Sequence, residues 1–253
     1  MEGKLDNTQK VVYVAELDQD IDDIIAAEYL FRQNVLKEVV LDPFPKDELG
    51  KQRMRMLQDL GIKVSDSISD GAEIVFIGGA LTAVAKYISN NKGIKLLVMN
   101  GGFVGKNIVS YNEILPKFKN KKFVRTFNFN IDVRSTDIVM RSTTEQIGKI
   151  VLVGKNVCHS DRNTKLGLWN KGLARELLDE FRVRDEKKQH DLLACHEGLV
   201  FAGLSSDNLM CDYQEVYPVT ENGLEGNMTK WGSTQTNTRT PYRKVTSAIR
   251  FAK

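Results

Sequence analysis

The sequence predicts an α/β fold: an open, mostly parallel, Rossmann-like sheet flanked by helices. Three observations carry this. Short apolar runs rich in β-branched residues recur along the chain, as in VVYVA at 11–15, EIVFI at 73–77 and IVLV at 150–153, and such runs read as strands buried on both faces. Several lead through a turn into a segment with apolar residues at helical spacing, the alternation that builds parallel sheets. Glycine pairs close two of the runs, Gly78-Gly79 and Gly101-Gly102. With 253 residues, 42% of them hydrophobic, the chain can bury a substantial core. No repeat, long linker or low-complexity tract divides it, so residues 1–253 read as one domain.

Val11 to Ala15 is the first strand, expected in the middle of the sheet, and Ile24 to Phe31 continues as a helix. Glu38 to Leu41 is the second strand, stopped by Pro43 and Pro45. Lys46 to Leu60 is a charged amphipathic helix that ends at Gly61, a suitable C-cap. Glu73 to Ile77, the helix Leu81 to Ser89 and the strand Ile94 to Met99 come next. Lys117, Lys119, Lys121 and Lys122 form a basic cluster, read as a solvated face, with anion binding as the lesser alternative. Ile131 to Arg141 is helical, Ile150 to Val153 a strand, and Lys171 to Arg184 a helix of alternating charge. Leu192 to Leu204 is apolar enough to pack inside, and Glu215 to Val219 and Val245 to Ala252 are strands.

A net charge of +3 is too small to argue for a nucleic-acid partner. No apolar run is long enough to span a membrane, and Met1 to Lys10 is polar rather than signal-like. Three cysteines, Cys158, Cys195 and Cys211, lack metal-ligand spacing and fit free thiols in a reducing compartment. A cytoplasmic location is expected.

The stretch with the most chemistry lies between the first strand and its helix. Glu16, Asp18, Asp20, Asp22 and Asp23 place five carboxylates in eight residues. A helix N-terminus stabilises one or two acids; five repel one another unless something neutralises them. A hard, oxygen-seeking cation such as Ca²⁺ or Mg²⁺ does this. The spacing excludes an EF-hand, because its glycine position falls on Asp23 and its glutamate position on Tyr29.

This stretch resembles the opening of the nucleoside hydrolases, a strand leading into D-x-D-P-G-x-D-D and an apolar helix. Here Glu16 replaces the first Asp, and Gln19-Asp20 replaces Pro-Gly. Further segments occur in the family's order. Gly79-Ala80-Leu81-Thr82-Ala83 resembles G-P-L-T-N, Met99-Asn100-Gly101-Gly102 resembles M-G-G, and Thr126-Phe127-Asn128 resembles E-F-N. Two segments compete for the family's H-D-P-L-A. His190-Asp191-Leu192-Leu193-Ala194 is closer by letters, and His196-Glu197-Gly198-Leu199-Val200 by the segments downstream of it. The second is preferred here, because Val216 to Gly223 then resembles the family's next strand and E-x-G turn. Two departures stand out: Asp42-Pro43 where the family has a sugar-binding Asn, and Thr126 where it has Glu.

The resemblance implies metal-dependent hydrolysis of the N-glycosidic bond of nucleosides, with Ca²⁺ (Mg²⁺ as alternative) held by Asp18, Asp23, Glu197 and the Thr82 carbonyl. It implies that Asp22 takes the proton of the attacking water and that Glu16, Met99 and Asn128 line the sugar pocket. His196 would hold the sugar or assist the leaving base. It also implies a small-molecule nucleoside partner and a homodimer or homotetramer. Two other readings compete. Asp18-Gln19-Asp20 fits the D-x-D of Mg²⁺-dependent haloacid-dehalogenase-type phosphatases, but those usually continue with a small or hydroxyl residue, where this chain has Ile21-Asp22-Asp23. A catalytically degenerate binding protein would keep the fold and the metal without the chemistry.

Overall fold

The computed structural model describes residues 11–17, 21–106, 108–121, 124–159, 190–205, 211–221, 230–236 and 239–251. It is an open α/β sheet, mostly parallel and flanked by helices. The strands are β1 (Val11–Ala15), β2 (Leu36–Leu41), β3 (Val64–Ser65), β4 (Ile74–Ile77), β5 (Ile94–Asn100), β6 (Phe103–Val104), β7 (Ile147–Val153), β8 (Cys211–Glu221), β9 (Lys230–Thr236) and β10 (Val245–Phe251). The helices are α1 (Asp22–Arg32), α2 (Glu48–Asp59), α3 (Thr82–Ser89), α4 (Phe127–Ile131), α5 (Val133–Met140), α6 (Lys155–Cys158) and α7 (His190–Phe201). The predicted helix Lys171 to Arg184 lies outside the described residues.

The sheet runs β3-β2-β1-β4-β5-β7-β10-β8-β9-β6. Every neighbouring pair from β3 to β10 is parallel, and β8 joins β10 and β9 antiparallel. As predicted, β1 is an interior strand, between β2 and β4. Its side chains alternate between two cores. Val11, Tyr13 and Ala15 face α1, α2 and α7; Val12 and Val14 face α3 and α5. A strand covered on both sides has no polar side to show, which is why its sequence is apolar without interruption.

The helix boundaries have local causes. Asp47 accepts from the Gly50 amide (2.7 Å) and caps α2, while Gly61, at φ +82°, takes the left-handed turn that ends it. Asp132 caps α5 by accepting from the Ser135 amide (3.0 Å). The chain leaves β1 to build β2 on one side, and β4 lies on the other. That reversal of strand order opens a crevice at the carboxyl ends of the strands, where open α/β sheets bind ligands. Among the described residues, no helix is long and apolar enough to cross a membrane.

Candidate functional site

A cavity of about 350 Å³ occupies this crevice. Glu16 enters it from the end of β1, Gly78 from β4, Asn100 and Gly101 from β5, and Lys155 just beyond β7. Asp22 and Asp23 come from the first turn of α1, and His190 and Asp191 from the first turn of α7. Thr126, Phe127, Asn128 and His159 complete the lining.

The carboxylates of Asp22, Asp23 and Asp191 converge, with one oxygen of each within 4.8 Å of the others. Asp23 is 5% exposed and Asp191 4%. Asp23 accepts from the Tyr13 hydroxyl and from the Glu16 amide (3.0 Å). Asp191 accepts from Asn100 Nδ2 (2.6 Å). Gly78 has no room for a side chain: a Cβ there would run into Asp23 Oδ1 and the Tyr13 hydroxyl. Burial, then the charge of Asp22, push the Asp23 carboxyl well above the usual range. Burial, then Asp22 and Asp23, do the same to Asp191. The phenol of Tyr13 is likewise held up by burial and by Asp23.

Two unit charges about 4 Å apart repel by about 4 kcal/mol at the effective dielectric of a protein surface. Three such pairs approach the entire stability of an ordinary domain, about 5–15 kcal/mol. The ionised cluster therefore needs a counter-charge, either protons or a cation. The donors are all hard carboxylate oxygens that converge on one point, which suits Ca²⁺ or Mg²⁺.

The structure places the sequence-predicted residues unevenly. Asp22, Asp23, Glu16 and Asn128 line the cavity. Asp18 lies outside the described residues. Glu197 does not join the carboxylates; Asp191 does. Six helical positions turn a side chain by about 600°, so the two residues point about 120° apart. Glu197 is fully buried against β8, where its Oε2 accepts from the Tyr213 hydroxyl (3.3 Å), and burial raises its carboxyl. His196 is also out of the cavity, its Nδ1 2.8 Å from the Tyr29 hydroxyl of α1.

Met99 is fully buried in the core facing α3 and α5. Strand alternation gives the cavity its neighbour Asn100 instead. Thr82 begins α3, is exposed, and donates to Asp132 Oδ2 (3.2 Å); the residue of this strand end that lines the cavity is Gly78. Asp42, at the position of the expected sugar-binding Asn, caps α3 by accepting from the Ala83 amide (2.7 Å).

Sequence reasoning missed Asp191, His190, Asn100, Lys155 and His159. The first two had a signal, the letters His190-Asp191-Leu192-Leu193-Ala194. Lys155 and His159 had none, because only the sheet order brings the end of β7 beside β5.

No protein-family model matches the chain. The chain is similar to an uncharacterized protein of Aquifex aeolicus (strain VF5), 27% identical over 212 residues, which span 75% of this chain and 68% of that protein.

Proposed function

We propose that the protein hydrolyses the N-glycosidic bond of a riboside, using a divalent cation held by Asp22, Asp23 and Asp191. The observation that carries this reading is the convergence of those three carboxylates in a cavity whose wall also holds Asn128. A cation bound there would supply the positive charge that makes water acidic enough to attack at neutral pH.

The remaining steps fall to the chain itself. Asp22 accepts the proton of the attacking water as the oxygen bonds to C1′ of the sugar. The C1′–N bond breaks, its electron pair leaves with the base, and the base gains a proton. His190, which lines the cavity next to Asp191, is the proton donor in this scheme. Asn128 is held by two donations from Nδ2, to the carbonyls of Gly78 (2.6 Å) and Asn100 (3.3 Å). Its Oδ1 then accepts from a sugar hydroxyl. Phe127, 67% exposed where it lines the cavity, offers a ring face for the base. The three cysteines are free and buried, which supports a reducing, cytoplasmic setting.

The test is a panel of purine and pyrimidine ribonucleosides, with p-nitrophenyl phosphate as a phosphatase control, each assayed with Ca²⁺ or Mg²⁺ and with chelator. Base release that needs the cation is expected. Asp22→Asn should lower it by about 10²–10⁴, with the fold retained by circular dichroism. No base release from any nucleoside at high enzyme concentration and saturating cation would end this reading.

A further inference from the structure

The cavity lining carries charge of both signs. Lys155 and two of the chain's three histidines, His159 and His190, line the same cavity as the carboxylates. The histidine rings lie against each other, with centroids 4.2 Å apart. Lys117 Nζ lies 2.8 Å from His159 Nδ1, so a second ammonium backs this wall. Lys155 is half-buried, and among the described residues no carboxylate pairs with its ammonium. A half-buried cation in a cavity, with no carboxylate partner among the described residues, is placed to receive an anion from a ligand.

We propose that the substrate carries a phosphate, bound by Lys155 and His159 of the cavity wall. The substrate class is then a phosphorylated riboside rather than a neutral nucleoside. The anomeric carbon must face the carboxylates to react, so the phosphate sits on the far side of the sugar, as in a 5′-phosphate. This inference rests on the glycosidic reading for the reaction, but the anion subsite is testable without turnover.

Calorimetry with the full chain compares ribose 5-phosphate with ribose, both with Mg²⁺ present. The phosphorylated sugar is expected to bind at least tenfold more tightly, and Lys155→Gln to remove most of that preference while ribose binding stays the same. Inorganic phosphate should compete in the native protein and not in the variant. Equal binding of the two sugars, no binding of either, or a preference that survives Lys155→Gln would overturn the proposal. Activity separates the two readings. Base release from nucleosides with no gain from a 5′-phosphate would leave the glycosidic reading standing and remove this one. Phosphate release instead of base would remove both, because it puts the phosphate at the carboxylates.

Discussion

Asp191 is expected to act oppositely on the protein without and with a bound cation. Without one, its buried carboxylate faces two others, and its raised proton affinity stabilises the fold only while it stays protonated. A carboxyl whose folded pKa is raised contributes stability below its unfolded value, about 3.9, and loses it as pH rises through the folded pKa. Asp191→Asn can still accept from Asn100 Nδ2 but removes the charge. In chelator-treated protein at neutral pH this variant should melt higher than the native chain, by a margin that grows with pH. With a hundredfold excess of Ca²⁺ over its Kd, the native chain should gain about 2.7 kcal/mol, and the variant much less. Thermal melts with and without chelator across pH read both effects. A variant that melts lower in chelator would show that the three carboxylates do not repel as described.

At the scale of elements, α7 sets the site through one close approach. A Cβ on Gly198 would strike the Phe76 ring of β4 and come within 2.8 Å of Val98 Cγ1 of β5. Gly198→Ala should therefore cost about 1–3 kcal/mol from overpacking, more than the helix propensity it gains. Lifting α7 also moves Asp191, so cation affinity should fall with stability, as denaturant melts and calorimetry on one sample can show. At the other end of the sheet, Glu38 of β2 is 1% exposed and holds the connection around β3. It accepts from Lys63 Nζ and from the Ser69 amide (2.7 and 2.8 Å). Burial alone would raise its carboxyl, but Lys63 and Ser69 outweigh burial and lower it. A lowered folded pKa gives stability above the unfolded value of about 4.3, lost as pH falls through the folded pKa. Glu38→Gln should cost about 1–3 kcal/mol at neutral pH, and the gap should close in acid.

Five elements explain what the sequence could and could not reveal. β1 was legible because both its faces are covered, leaving an uninterrupted apolar run. The acidic stretch leading into α1 was legible because five carboxylates in eight residues repel one another unless something neutralises them. α7 was legible as an interior segment but not in its orientation. Ten of its twelve residues are buried, so no polar stripe marks which side meets the sheet. The sequence therefore leaves the choice to a neighbouring motif, which favours Glu197, whereas the helix brings Asp191 to Asp22 and Asp23. β3 and β6 are two residues each, too short for any period to show.

At the scale of the molecule, the three carboxylates are split between the first helix of the chain and one that starts at residue 190. Between them in sequence come β2, β4, β5 and β7, whose pairing sets the distance between the two helices. This separation dictates the order of events during folding. A contact between residues so far apart in sequence forms only after the intervening chain has lost its freedom. Cation affinity should thus be among the last native properties to appear. In stopped-flow refolding, far-ultraviolet circular dichroism should recover before a Ca²⁺-sensitive dye reports uptake. A fragment ending before His190 should bind Ca²⁺ far more weakly than the whole chain, however acidic its first helix. A cation held by these carboxylates would then be a timer on assembly, captured only by chains whose sheet is already complete.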